Sequence, residues 1–239
     1  MKLPALCTVI VLGIAAPAAA DFEHDLQSAL GPYYAALVAS SRGNIDQTQR
    51  QILLFASRWQ VVVRDATTSA PADLRNDPRW TSFAQHVDTV LRQARESLRL
   101  RNLVAVHAQL ESIRLALREI DARHHRSSVD DALTDFHDAM ERMIGHVAGV
   151  NEIVLRPKDF DDIREDYDAA REAWKAVHSN AGDLRDAEAW RAASDDMSRA
   201  LDAVGRELQA RRPEPLAAVI QGLHDKYYDL LLAVARHRG

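Results

Sequence analysis

Cysteine is almost absent from this chain of 239 residues, which contains Cys7 and no other. A single cysteine cannot close a disulfide within the chain, and it cannot supply the several thiolates that hold an iron–sulfur cluster. The sequence also lacks the C-x-x-C-H motif that attaches haem covalently. A disulfide scaffold and these two kinds of cofactor attachment are therefore excluded.

Glycine and proline are scarce as well, with 9 and 8 residues, and charge of neither sign dominates. The 30 Lys and Arg residues stand against 35 Asp and Glu, mixed along the whole length, for a net charge of −5. Because a nucleic-acid-binding protein is usually basic, we expect no nucleic-acid partner. The hydrophobic content of 47% is typical of a globular protein and not of a disordered or collagen-like chain.

Motifs for catalysis and nucleotide binding are missing too. The sequence contains no glycine-rich phosphate loop, no H-E-x-x-H and no G-x-S-x-G. Since none of the residue patterns that mark common enzyme sites is present, we expect a protein that is not an enzyme.

The first twenty residues have the layout of a secretory signal peptide. Lys2 precedes an apolar stretch, and three alanines end the segment at residues 18–20, directly before the acidic Asp21. No later segment approaches the roughly 18 uninterrupted apolar residues of a membrane span. The sequence therefore predicts removal of residues 1–20, together with Cys7, and a periplasmic or secreted mature chain with no membrane span.

Apolar residues after residue 21 recur at spacings of three and four, which is the period of an α-helix. The clearest stripe runs from Leu103 to Ile120, and a second of the same spacing runs from Leu133 to Val150. We predict an all-α protein of about eight antiparallel helices, arranged as two tandem four-helix units over residues 21–126 and 127–239. The helices are predicted near residues 22–42, 45–66, 79–101, 103–122, 129–150, 159–180, 186–210 and 214–237.

Proline residues mark the expected interruptions. Pro32 lacks an amide hydrogen and clashes with the preceding turn, so we expect the first helix to kink or restart there. Residues 69–78, which contain two prolines, form the longest predicted loop.

The two halves of the chain align with each other. A shift of 110 residues superimposes Trp80 on Trp190 and Arg101 on Arg211, and a shift of 115 pairs the other two tryptophans. All four tryptophans thus fall in matched pairs, which indicates an internal duplication with loop insertions between its segments. We interpret the tryptophans as anchors of the hydrophobic core.

Other aromatic and histidine pairs stand near the ends and the middle of the chain. Tyr33–Tyr34 and Tyr227–Tyr228 lie near opposite ends, and a pairing of the first and last helices through them would close the fold. His124 and His125 fall in the polar connector between the fourth and fifth predicted helices, where we expect a solvated loop.

The fourth and fifth predicted helices hold the densest group of potential metal ligands. His107 and Glu111 lie one turn apart on the fourth helix, and His137 and Glu141 lie one turn apart on the fifth, which also carries Met140. Imidazole with thioether suits copper(I), whereas imidazole with carboxylate in a helical bundle suits iron or zinc. These five residues are therefore the candidate metal ligands, with copper, iron or zinc as the ion.

Helix geometry limits how these residues combine. If the connector turns at its midpoint, Glu111 is level with Glu141, but His107 and His137 are about 12 Å apart along the axis. One ion cannot use both histidines. The combinations that remain are Glu111 with His137 and Glu141, or His137 with Met140. In the alternative interpretation, the methionine fills the core and the charged side chains form ordinary surface ion pairs.

Two functions are compatible with this sequence. The first is a non-enzymatic exported helical module that binds a partner protein or a small molecule through a face of the bundle. The alternative is a periplasmic metal-binding protein that uses the fourth and fifth helices. Non-covalent haem binding ranks below both, because only Met140 and Met143 are placed to point inward as axial ligands.

Overall fold

The structure is a computed structural model that describes residues 16–124, 128–148 and 155–239, with side chains from residue 21 onward. Over these residues the chain is helical and contains no strand, which confirms the all-α prediction. No helix within the described ranges combines the length and the hydropathy that crossing a bilayer requires. Most of the predicted signal peptide, residues 1–15, and part of the connector at 125–127 lie outside the description.

The eight predicted helices correspond to eight helical segments, the last of which is divided in two, and a one-turn helix lies within the predicted loop at 69–78. A 3₁₀ turn covers Gly182–Asp186. The helices are α1 (Ala16–Ser41), α2 (Ile45–Ala66), α3 (Ala72–Arg75), α4 (Pro78–Arg99), α5 (Leu103–Arg123), α6 (Val129–Val147), α7 (Pro157–Asn180), α8 (Glu188–Ala210), α9 (Pro213–Gln221) and α10 (Leu223–Arg238).

Side chains at the helix N-termini account for several of these boundaries. Asn44 and Asn102 each accept a hydrogen bond of 3.0 Å from a backbone N–H in the first turn of α2 and α5, respectively. Ser128 and Asp131 form a reciprocal capping box at the start of α6. These contacts satisfy amides that have no partner inside their own helix, so each helix begins where its capping residue stands.

Helix α1 runs without interruption through Pro32, so the restart that the sequence suggested does not occur. A proline leaves the carbonyl four residues earlier without its helical N–H donor. Here that carbonyl belongs to Ser28, and it accepts a hydrogen bond of 2.6 Å from Nη1 of Arg58 on α2. The arginine thus replaces the missing bond and joins α1 to α2.

The connector before α6 departs from the expected solvated loop at His124. Its side chain is 8% exposed, and its two ring nitrogens lie 3.0 Å from Asp73 and 3.1 Å from Asp77. The prediction was wrong for His124 because two carboxylates of the segment between α2 and α4 cover the ring. His125 lies outside the described residues.

Four helices form the centre of the packing. Helix α1 contacts α5 and α10, and α6 contacts the same two helices, so the four make a closed ring. The pairing of the first and last helices predicted from the tyrosines is therefore confirmed. A continuous cluster of buried apolar side chains fills the interior and includes residues from all ten helices. Both predicted four-helix units contribute to this cluster, and their division at residue 126 stays a prediction.

The two halves of the chain share an uncommon backbone feature. All four tryptophans are buried, as the core interpretation predicted. Arg101 and Arg211, which the shift of 110 superimposes, have positive φ angles of 56° and 51°, and no other non-glycine residue within the described ranges does. Each arginine stands just after the end of α4 or α8. Because residues other than glycine rarely adopt this conformation, its recurrence at matched positions supports the internal duplication.

A buried ion pair fixes the last helix near its C-terminal end. Arg238 donates hydrogen bonds of 2.8 and 2.9 Å to the two carboxylate oxygens of Asp130, at the start of α6. The hydroxyl of Tyr34 on α1 donates a third bond of 2.6 Å to the same carboxylate. The side chains of Arg238 and Asp130 are 8% and 6% exposed, so three helices meet at one desolvated charge pair.

We expect Arg238→Ala to lower the free energy of unfolding by roughly 3 kcal/mol, because it leaves the carboxylate of Asp130 buried without its counter-charge. Arg236→Ala is the matched control, since Arg236 lies on the same turn but is exposed. This control should change the free energy by less than about 0.5 kcal/mol. Urea denaturation followed by circular dichroism measures both variants. Equal losses in the two would contradict the role given to the ion pair.

Candidate metal centre

Two of the predicted ligands, His137 and Glu141, lie one turn apart on α6 and meet His224 in the first turn of α10. Nε2 of His224 is 2.6 Å from Oε1 of Glu141, and Nε2 of His137 is 3.6 Å from the same oxygen. One ligand atom from each residue lies within 4.8 Å of the other two. No other three His, Cys, Asp or Glu residues among those described come together in this way.

The position of His224 depends on a break in the last predicted helix. Helix α9 ends at Gln221, and Gly222 stands between it and α10. Helix α9 packs on α6, whereas α10 packs mainly on α1 and α8. The contacts of α9 with α6 therefore hold the first turn of α10 beside His137 and Glu141.

Glu141 and His224 perturb each other electrostatically. Contact with the Glu141 carboxylate raises the pKa of His224. Burial by itself would raise the pKa of Glu141, but the contact with His224 and the charge of His137 outweigh burial and leave the pKa below its ordinary value. Between the ordinary pKa values of 4.5 for Glu141 and 6.5 for His224, the pair therefore consists mainly of an imidazolium and a carboxylate.

Buried polar atoms without hydrogen-bond partners are concentrated at this group. Six such side-chain atoms occur in the described part of the chain, and three of them are Nδ1 of His137, Oε1 of Glu141 and the hydroxyl of Tyr227. The Glu141 oxygen is close to His224 but is not aligned with it as a hydrogen bond. Of these three atoms, only the Glu141 oxygen belongs to the candidate ligand set, because the nitrogen of His137 that faces it is Nε2, whereas Nδ1 lies 3.8 Å from Asp138. A bound ion would engage the Glu141 oxygen, which in the metal-free protein pairs with His224 at 2.6 Å.

Two tyrosines of α10 hold the imidazole rings in place. The ring of Tyr227 packs on His137 with centroids 4.7 Å apart, and the ring of Tyr228 stacks on His224 at 5.1 Å. Tyr227 is fully buried and Tyr228 nearly so. Such packing restricts the rotamers of both histidines, which prepares their nitrogens to act as ligands.

The other three predicted ligands lie outside this group. Glu111 is bound by Arg114, whose Nε donates a hydrogen bond of 2.7 Å to Oε2 of Glu111, and His107 stands beside them on α5. The combination of Glu111 with His137 and Glu141 is therefore not the one that forms, because His224 occupies the third position. Met140 is fully buried and belongs to the hydrophobic cluster.

No protein-family model, curated protein or solved structure matches this chain. What the site can do chemically therefore follows from its own residues.

Two imidazoles and one carboxylate form a ligand set that suits divalent first-row transition metals. The same set holds catalytic zinc and non-haem iron(II), in both cases with coordination positions left open. At metal–ligand distances of about 2.0–2.2 Å, two ligands of one ion are at most about 4.4 Å apart. Since the three ligand atoms already lie within 4.8 Å of one another, shifts below about 1 Å would close the site.

We expect the ion pair between His224 and Glu141 to stabilise the metal-free protein most in mildly acidic solution. The reference is the variant His224→Gln, which lacks this ion pair. Because the pKa of His224 is raised on folding, its contribution is present below the ordinary value of 6.5 and is lost as pH rises through the folded value. Because the pKa of Glu141 is lowered, its contribution is present above the ordinary value of 4.5 and is lost as pH falls through the folded value.

The measurement is the free energy of unfolding in chelator at a series of pH values. The difference in free energy of unfolding between wild type and His224→Gln should be greatest between pH 4.5 and 6.5. It should stay below about 1 kcal/mol, because both side chains are more than one-third exposed. A difference that grows steadily above pH 8 would contradict this assignment.

Proposed function

We propose that this chain is an exported metal-binding protein that holds one divalent first-row transition-metal ion between α6 and α10. The observation that carries the proposal is the convergence of His137, Glu141 and His224. The first two lie one turn apart on α6, and the third comes from a helix more than eighty residues later in the chain. The packing of both imidazole rings against buried tyrosines distinguishes them from ordinary surface ion pairs.

Zinc(II) and iron(II) fit this site better than copper(I). Copper(I) prefers soft sulfur ligands, and the methionine that the sequence offered, Met140, is buried in the hydrophobic cluster. The three ligands of the site are instead two nitrogens and one carboxylate oxygen. Imidazole and carboxylate together suit zinc(II) and iron(II).

Binding and carrying the ion is the role that we assign to the protein. No catalytic motif occurs in the sequence, and the ligands supply binding chemistry without an assigned general acid or base. Binding of a partner protein or of another small molecule through a bundle face stays a prediction.

We expect purified metal-free protein to bind one Zn²⁺ ion tightly in a competition titration against a chromophoric chelator. His137→Ala and His224→Ala should each lower the affinity by about 100-fold, because each removes one of three ligands. Zinc should also stabilise the wild-type protein by about 2.7 kcal/mol at a free concentration 100 times the dissociation constant.

The matched control is His146→Ala. His146 is also on α6 and also contacts a carboxylate, with Nε2 3.1 Å from Asp166, but it stands outside the candidate centre. Its replacement should leave zinc affinity unchanged. The proposal is wrong if wild-type protein binds no zinc, or if the double variant His137→Ala/His224→Ala binds it as tightly as wild type.

Export of the chain is part of the same proposal and has its own test. Expressed with its full sequence in a Gram-negative host, the protein should be recovered from the periplasm with Asp21 as its first residue, as measured by intact mass. Ala20→Phe should block this processing, because signal cleavage requires a small residue at that position. Recovery of uncleaved wild-type protein from the cytoplasm alone would overturn the assignment.

A further inference from the structure

A second pair of ligands stands beside the first centre, and we infer that His107 and Glu111 on α5 bind a second divalent cation, more weakly than the first. The inference rests on the proposed function, because it extends one metal centre to two. It uses different residues, however, so the two can fail separately.

The geometry around His107 leaves one ring nitrogen free to act as a ligand. Nδ1 of His107 is 3.2 Å from the carbonyl oxygen of Leu37 and 3.1 Å from Oγ of Ser40, both on α1. A carbonyl oxygen can only accept a hydrogen bond, so Nδ1 carries the proton in the neutral ring. The lone pair is then on Nε2. Histidine ligands of metals commonly donate their other N–H to a backbone carbonyl in this way.

Glu111 is oriented by a buried arginine. Its Oε2 accepts a hydrogen bond of 2.7 Å from Nε of Arg114, whose side chain is 7% exposed. Arg114 is itself fixed by further bonds of 3.3 Å to the carbonyl of Thr134 and to Asp138 on α6. Because Oε2 is occupied, Oε1 is the oxygen that faces His107.

The distance between the two ligand atoms fits a shared ion better than a direct bond. Nε2 of His107 is 3.9 Å from Oε1 of Glu111, which is too long for a hydrogen bond. Two ligands bound to one ion at about 2.1 Å are separated by at most about 4.2 Å. The two side chains are 27% and 20% exposed, so water can complete the coordination.

The pair of His107 and Glu111 and the three-ligand centre are neighbours in space. The ring of Tyr228 stacks on His224 and also meets His107 edge-on, with centroids 6.4 Å apart. Two cations at such close quarters repel each other, and the second site offers only two protein ligands. Binding is therefore sequential, with the three-ligand centre filled first.

Equilibrium dialysis against Zn²⁺, followed by metal analysis, tests the second site. Wild-type protein should hold one ion per chain at low free zinc and two at high free zinc. His107→Ala should weaken the second ion by at least about tenfold and leave the first unchanged. His137→Ala should weaken the first ion and leave the second site able to bind.

The primary variant is His107→Ala, because Glu111→Gln also removes one of the two carboxylates that pair with buried Arg114. Glu111→Gln, checked for folding by circular dichroism, should weaken the same second ion. Glu119→Gln on α5 is the matched control, since Glu119 forms an exposed ion pair with Arg79.

A wild-type stoichiometry that stays at one ion with saturating zinc would overturn the second site and leave the proposed function intact. Loss of the single tight ion in His107→Ala would also overturn it, because the residue would then belong to the first centre. Absence of any bound zinc in wild type would overturn both.

Discussion

The packing of the last helix against the first determines the candidate centre, because His224 reaches α6 only when α10 is docked. The two helices approach closely where Gly31 faces α10, since a Cβ atom there would lie 3.2 Å from the carbonyl oxygen of Ala235. The ion pair of Arg238 with Asp130 fixes the C-terminal end of α10. An ion at His224 would fix the other end, so metal binding and the docking of α10 stabilise each other.

Much of the fold is predictable from the period of the apolar residues. Within the described ranges, the helix boundaries predicted from caps, prolines and spacing lie within three residues of those in the structure, except at the start of α1. This helix was predicted to begin near residue 22 and begins at Ala16, before the predicted cleavage point. The departures have local causes that a pattern does not contain. Arg58 replaces the hydrogen bond that Pro32 removes, and Gly222 divides a helix whose apolar spacing continues on both sides. The buried ring of His124 depends on carboxylates some fifty residues away in sequence.

The candidate centre was only half predictable, for a related reason. His137 and Glu141 are one turn apart, so their proximity follows from helix geometry alone. His224 follows Glu141 by 83 residues in the sequence and contacts it only through the tertiary fold. A predicted pairing of the terminal helices does not fix which turn of α10 meets α6. Met140 shows a different difficulty, because a residue type suited to copper is equally suited to a core position. Only its packing, which is complete, decides between the two.

Charge balance is compatible with a cation at this place in the fold. The partly buried charged side chains around the three-ligand site include three carboxylates, from Glu111, Asp138 and Glu141, and two guanidinium groups, from Arg114 and Arg118. Their net charge is −1, and protonation of His224 offsets it in the metal-free protein. A divalent ion bound to neutral imidazoles would replace that proton, so uptake of the proposed first ion would release a proton. A second ion would add positive charge that these residues do not balance, in line with the weaker binding proposed for it.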